Sequence, residues 1–149
     1  MIPNRVVLDT NVCLDLFVFC DPRRAALAAA LLEGRIEAVT RADCRSEWLA
    51  VLQYSCFGLD DPRRAQAIDR FDAIVRCLDP DDTTAAANVA TVVLPRCTDR
   101  DDQKFLELAR DSGAAQLLTK DRALLKLAGK CRRAGLFTIC DPQAWTAPA

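Results

Sequence analysis

The stretch Arg5-Val6-Val7-Leu8-Asp9-Thr10-Asn11-Val12 decides the fold that we predict for this chain. Its apolar run has no polar alternation, which is typical of a strand buried on both faces of a parallel sheet. The run ends on Asp9, and the two small polar residues after it suit a strand-to-helix turn. Ligands of open α/β sheets bind outside the carboxyl ends of the strands, so Asp9 stands where chemistry is usually done. Asp9 could instead only cap the next helix, and the residues alone leave both functions open.

Strands and helices alternate along the rest of the chain, which indicates a parallel sheet with right-handed crossovers. Further strands are predicted at Arg35–Thr40, Ile74–Leu78, Ala114–Thr119 and Gly135–Ile139. Helices are predicted at Cys13–Cys20, Asp21–Glu33, Ala42–Cys56, Arg63–Phe71, from the acidic run at Asp99 to Ser112, and at Arg122–Leu127. Thr83–Val93 is predicted to be helical, with a strand over Thr91–Leu94 as the alternative. Trp145 is expected to pack back onto the body of the protein.

Length and composition favour a single domain over residues 1–149, because 149 residues at 51% hydrophobic content can bury a sizeable core. The formal net charge is −1, so any polyanionic partner would need a metal ion or a local basic rim. No apolar leader is present, and no apolar run approaches the roughly 18 residues of a membrane span. We therefore predict a cytoplasmic protein without membrane contact.

Eight cysteines and no histidine narrow the chemistry that is open to this chain. No two cysteines have the spacing of a zinc knuckle, so reduced thiols among apolar neighbours are expected. Without histidine there is no Ser-His or Cys-His dyad, no H-E-x-x-H site and no histidine-based hydrolysis of RNA. The sequence also lacks a P-loop and a G-x-G-x-x-G loop. Catalysis would have to come from carboxylates, with a metal ion.

Four acids are candidates for such a site. Asp121 follows a predicted buried strand as Asp9 does, while Asp102 heads the apolar stripe of its helix and Glu47 borders that of another. Two carboxylates about 5 Å apart repel by roughly 3 kcal/mol at an effective dielectric near 20, so convergence requires a cation. All-oxygen sites suit Mg²⁺ or Mn²⁺, which support phosphodiester cleavage. The simpler interpretations are that Glu47 reaches solvent and that the acids near Asp102 stabilise a helix N-terminus.

Four segments resemble the motifs of PIN-domain ribonucleases, in the same order. They are Val7–Val12, Ser46–Leu52, Asp99–Ala109 and Leu117–Leu125. The resemblance is in particular to VapC-like toxins of bacterial toxin–antitoxin pairs. It implies a three-layer α/β/α fold with a mainly parallel five-stranded sheet and Mg²⁺- or Mn²⁺-dependent cleavage of RNA. It also implies a cognate antitoxin and a homodimer as partners, whereas the segment Phe57–Arg96 matches no motif.

The resemblance assigns catalytic and metal-binding functions to Asp9, Glu47, Asp102 and Asp121. Asp101 is an alternative ligand, because a one-residue error at a helix start is easy to make. Three polar residues are expected to support the site. Thr10 and Asn11 would shape the turn, and Thr119 could hydrogen-bond a phosphate or a bound water.

A local basic rim is expected to bind the substrate. Lys120 and Arg122 flank Asp121, and Lys126 and Lys130 lie one and two helical turns further on. We predict that Lys120 and Arg122 contact RNA phosphates. The outer pair could equally form a solvated helix face.

Two other functions remain open at this point. Haloacid-dehalogenase phosphatases also begin with an aspartate after a buried strand, but they need a second aspartate where this chain has Asn11. A non-catalytic PIN-like binding module would keep the fold and use the same site for docking a partner.

Overall fold

A parallel sheet forms the centre of the protein, whose structure, a computed structural model, describes residues 1–79 and 93–148. Its strands are β1 (Ile2–Leu8), β2 (Glu37–Thr40), β3 (Val75–Cys77), β4 (Ala114–Leu118) and β5 (Thr138–Cys140). They are ordered β3-β2-β1-β4-β5, and every neighbouring pair is parallel. The predicted α/β fold with a five-stranded parallel sheet is confirmed.

Helices connect the strands and cover both faces of the sheet. The α-helices are α1 (Thr10–Phe17), α2 (Ala25–Leu32), α3 (Ala42–Val51), α4 (Asp61–Ile74), α5 (Gln103–Ser112), α6 (Arg122–Leu125) and α7 (Ala128–Arg133). Short 3-10 helices lie at Pro22–Arg24, Ser55–Phe57 and Arg100–Asp102.

Two apolar cores, one on each face of the sheet, produce the three layers. Successive residues of β1 point to opposite faces, so Val6 packs in the core with α1, α2 and α4, whereas Val7 packs with α5, α6 and α7. The first core is centred on three aromatic rings, with Trp48 and Phe71 stacked at 5.2 Å and Phe17 edge-on to both. Central strands buried on both sides explain why the β1 segment is continuously apolar.

Several predicted boundaries are wrong at element ends. Helix α3 ends at Val51 and not at Cys56, because its apolar stripe stops at Leu52 and the exposed residues beyond it turn into a separate 3-10 helix closed by Gly58 at φ 57°. Helix α1 starts at Thr10, three residues before the prediction, because Asp9 caps it.

The C-terminal third holds two further differences from the prediction. The helix predicted at Arg122–Leu127 is α6 alone, and α7 comes after it as an additional helix. The last strand is Thr138–Cys140 and not Gly135–Ile139, because Gly135 adopts a left-handed φ of 71° after α7 and cannot continue a strand. The predicted helix at Thr83–Val93 falls, except for Val93, outside the described residues.

Smaller expectations can also be compared with the structure. Trp145 packs back on the first core, and its Nε1 donates to Oε1 of Gln116 at 3.1 Å. All eight cysteines are free, but Cys20, Cys56 and Cys77 are exposed and so are not the core thiols that we expected. In the part of the chain that the structure describes, no helix is long and apolar enough to cross a membrane.

Candidate active site

Three of the acidic side chains cap the helical segments that leave the carboxyl edge of the sheet. Oδ1 of Asp9 accepts from Thr10 N at 2.7 Å, and Oδ1 of Asp121 accepts from Ala123 N at 2.8 Å. Asp99, a residue that the sequence analysis did not single out, caps the 3-10 helix before α5. Asp9 therefore has the capping function considered from the sequence. Capping alone does not decide whether these acids also form a site.

The two strand-end aspartates are brought together by sheet pairing. Leu8 and Leu118 are in register on β1 and β4, so Asp9 and Thr119 leave the sheet side by side. The hydroxyl of Thr119 is fully buried, donates to Oδ2 of Asp9 at 2.7 Å and accepts from Asp121 N at 3.0 Å. Thr119 thus connects both turns through protein groups, and its expected hydrogen bond to a phosphate or bound water stays a prediction.

Three carboxylates form the centre of the site. Asp99, Asp102 and Asp121 each offer an oxygen within 4.8 Å of the others, and we call them the acid triad. Asp102 differs from its neighbours because its side chain caps no helix. Its Oδ2 is buried and has no hydrogen-bond partner among the residues that the structure describes. A buried carboxylate oxygen without a partner is costly, so this atom requires an explanation.

Burial and mutual repulsion disfavour the charged forms of these acids. Burial raises the pKa of Asp9 to about 6, and the charges of Glu47 and Asp121 add to the effect. The pKa of Asp102 rises to about 8 through burial, a hydrogen bond with Asp121 and the charge of Asp9. The charge interactions place Asp9 near Glu47 and Asp121, and Asp102 near Asp9. Of the four acids predicted from the sequence, Asp102 and Asp121 belong to the acid triad, and Asp9 and Glu47 lie outside it.

Glu47 does not simply reach solvent. Its Oε2 accepts a hydrogen bond from the Thr10 hydroxyl, and its Oε1 accepts one from Nζ of Lys104 at 2.8 Å. Lys104 was not identified from the sequence, because 57 positions separate it from Glu47 and only the packing of α3 near α5 joins them. Thr10 has a direct function in orienting Glu47 in addition to its place in the turn.

Asp101 and Asp102 differ in their position relative to the triad. Asp102 is buried in the triad, whereas Asp101 is exposed and lies outside it, with its backbone carbonyl contacting Lys104. The acid that the sequence analysis missed is Asp99, which stands three residues before Asp102. That spacing on a helical turn was the available signal, since it places two side chains on the same face.

The predicted substrate residues differ in their environments. Nζ of Lys120 lies 3.0 Å from Oδ1 of Asp15, which is buried and also pairs with the buried Arg24. Lys120 is therefore held toward α1 by an ion pair. Arg122 is exposed and has no ion-pair partner within residues 1–79 and 93–148.

Asn11 supports the turn as expected, because its Nδ2 donates to Oδ2 of Asp9 at 3.3 Å and its Oδ1 accepts from the backbone N of Lys120.

The donor set fits a hard divalent cation. The acid triad and Asp9 offer only carboxylate oxygens, and Oδ2 of Asp102 is buried without a hydrogen-bond partner among the described residues. Burial and negatively charged neighbours raise the pKa values of Asp9 and Asp102. A bound Mg²⁺ or Mn²⁺ ion would use such oxygens and remove the repulsion between them.

Comparison with known families agrees with this geometry. The family model for the PIN domain matches residues 5–123, which include every acid described above. The chain belongs to the PIN domain family. PIN domains are typically metal-dependent nucleases, so membership supports a nuclease function for this site. Comparison with curated proteins gives no match.

Proposed function

We propose that this PIN domain is a Mg²⁺- or Mn²⁺-dependent endoribonuclease whose metal ligands come from Asp9, Asp99, Asp102 and Asp121. The observation that carries the proposal is the unpartnered, buried Oδ2 of Asp102 within the acid triad. Helix capping explains the placement of the other three acids, but it does not explain Asp102. A cation-binding function for this oxygen does explain it.

Each remaining polar group has a positioning function in this proposal. Thr119 fixes the carboxylate of Asp9 through its buried hydroxyl, and Thr10 and Lys104 together hold Glu47, whose charge acts on Asp9. A bound divalent ion would supply Lewis-acid stabilisation and lower the pKa of a bound water.

The decisive experiment compares two neighbouring aspartates. Asp102→Asn should abolish Mn²⁺-dependent cleavage of a labelled RNA, whereas Asp101→Asn should retain it, because the exposed Asp101 lies outside the triad. Both variants should keep the circular dichroism spectrum of the wild type, and EDTA should stop cleavage by the wild type. Cleavage by purified protein in excess EDTA, or equal losses in the two variants, would contradict the proposal.

A toxin function with a cognate antitoxin, and a homodimer, are suggested by the resemblance of the motifs. The surface offers one supporting observation, since the rings of Phe19 and Tyr54 are both more than half exposed and both lie against Phe57. Contiguous exposed apolar side chains often mark protein interfaces. Induced expression in a bacterial host should slow growth for the wild type and not for Asp102→Asn, and equal growth would argue against a toxin.

The two other functions considered from the sequence now differ in support. The phosphatase alternative loses its basis, because the family matched over residues 5–123 is the PIN domain. A non-catalytic binding module is the outcome that the cleavage assay would favour if pure protein bound RNA and Mn²⁺ without turnover.

A further inference from the structure

Ion pairing leaves one part of the protein with an excess of free positive charge. Of the 20 basic side chains, 11 lie within ion-pair distance of an acid in the described part of the chain. Five of the other nine fall within residues 122–133, which comprise α6, the turn after it and α7. They are Arg122, Lys126, Lys130, Arg132 and Arg133, and all five are exposed.

Four of these cations lie on the solvent side of α6, the turn after it and α7. The turn residues Lys126 and Leu127 keep right-handed helical dihedrals, and Leu127 N donates to the carbonyl of Leu124. The four-residue step from Arg122 to Lys126 and the three-residue step from Lys130 to Arg133 each place two cations on the same side of the segment. The opposite face carries Leu124, Leu127 and Cys131, which are buried in the second core. We call these four cations the basic face.

The arrangement of Arg133 strengthens this surface. A Cβ on Gly129 would lie only 3.3 Å from Nη1 of Arg133, so the guanidinium lies over the glycine, one turn back along the helix. Because position 129 has no side chain, the guanidinium of Arg133 can lie back over the helix. The four cations thus form a row on the solvent side of residues 122–133.

The row begins at the proposed active site. Arg122 directly follows Asp121 of the acid triad, and the other three cations follow it along the chain at steps of four, four and three residues. A row of cations with this spacing complements the regularly spaced charges of a nucleic-acid backbone. Lys120 is not part of the row, since Asp15 holds its ammonium on the other side.

We propose that the basic face binds the phosphate backbone of a single RNA strand and guides it into the acid triad. This inference rests on the proposed nuclease function for its direction, but it concerns binding and can be measured without turnover. It moves the main phosphate contacts away from Lys120 and adds Arg133 to Arg122, Lys126 and Lys130.

The test measures binding of a fluorescent single-stranded RNA of about 12 nucleotides by anisotropy, in EDTA, between about 50 and 200 mM salt. The variant carries Lys126→Gln, Lys130→Gln and Arg133→Gln, and it leaves Arg122 intact beside the triad. A control carries Arg23→Gln, Arg35→Gln and Arg63→Gln, which removes the same charge from exposed positions elsewhere. Thermal melts of both proteins establish that they are folded.

Loss of three phosphate contacts should flatten the plot of log K against log salt by about 2, since each contact to a single strand contributes about 0.7. At about 0.1 M salt the same loss corresponds to roughly 100-fold weaker binding if the extrapolated affinity at 1 M is unchanged. The control should keep the slope of the wild type. An unchanged slope in the folded variant, or an equal loss in the control, would overturn the inference.

The same proteins separate this inference from the proposed function. If the wild type cleaves RNA with Mn²⁺ but the variant keeps its salt slope, the basic face is not the RNA path and the nuclease proposal stands. If the variant loses RNA binding while the wild type never cleaves, the basic face is an RNA-binding surface and the nuclease proposal fails.

Discussion

Replacing Asp9 by asparagine should stabilise the metal-free protein. In the wild type this carboxyl is buried at 4% exposure beside Glu47 and Asp121, and its pKa is raised from 3.8 to about 6. The folded state therefore binds the proton more tightly than the unfolded chain does. Stability must fall as the pH rises between these two pKa values, and the full penalty is present above pH 6.

The difference between the folded and unfolded pKa values of Asp9 determines the loss in the free energy of unfolding. At about 1.4 kcal/mol per pKa unit, a difference of about two units costs the wild type about 3 kcal/mol at pH 8, but only about 0.5 kcal/mol at pH 4. Asparagine caps helices as well as aspartate does, so α1 should keep its cap. With one oxygen it cannot serve both Thr10 N and the hydroxyl of Thr119, which costs about 1 kcal/mol. Asp9→Asn should thus be about 2 kcal/mol more stable than wild type at pH 8 and slightly less stable at pH 4.

Urea denaturation of both proteins in EDTA, across this pH range, measures the difference. Asp60→Asn is the matched control, because Asp60 caps α4 through Arg63 N at 2.9 Å on an exposed surface. The control should show no gain that grows with pH. Mn²⁺ at 100 times its dissociation constant should add about 2.7 kcal/mol to the wild type and less to Asp9→Asn. A metal-free Asp9→Asn protein that is less stable than wild type at pH 8 would show that this acid is structural, and the reasoning would be refuted.

Three other predictions concern the same region. The affinity for Mn²⁺, measured by calorimetry, should rise between pH 6 and pH 8, and binding should release protons. The ion must displace the protons of Asp9 and Asp102, whose pKa values are about 6 and about 8. An affinity that stays constant over this pH range would exclude both residues as ligands. Lys104→Met should destabilise the metal-free protein by roughly 1–3 kcal/mol, since Glu47 loses its only cationic partner in the described chain. In a thermal-shift assay, Mn²⁺ should stabilise this variant more than it stabilises the wild type. Asp15→Asn should cost about 3–5 kcal/mol in urea denaturation because it leaves Arg24 buried without a countercharge, and a loss below about 1 kcal/mol would show that the pair is not coupled as described.

The sequence alone was sufficient to predict the parallel sheet and the acidic residues that follow its strands. Apolar runs such as Val6 to Leu8 and Leu117 to Leu118 can be buried only in the middle of a parallel sheet, and parallel strands place the residues after their carboxyl ends at one edge. Asp9 and Asp121 could therefore be predicted as neighbours although 112 positions separate them. The lack of histidine, a property of composition alone, directed the chemistry to carboxylates.

Element ends and side-chain partners were decided by tertiary structure. The end of α3 at Val51 and the left-handed Gly135 depend on where the core stops, which local propensity does not report. The sequence could not choose between Asp101 and Asp102, because both fit a helix start. The structure distinguishes them by burial, since only one of two successive residues on a helical turn can face the core.

Charge pairing was the property least accessible from the sequence. Nothing in the sequence distinguishes the charge environments of Lys104, Lys120 and Lys126. In the structure Lys104 pairs with Glu47 and Lys120 pairs with Asp15, whereas Lys126 has no ion-pair partner among the described residues. An ion pair depends on a few ångströms between side chains on different elements, and local periodicity carries no such information. The sequence by itself determined which residue types could do chemistry and at which edge of the sheet. Only the folded arrangement decided which charges are compensated and which are free to bind a metal ion or RNA.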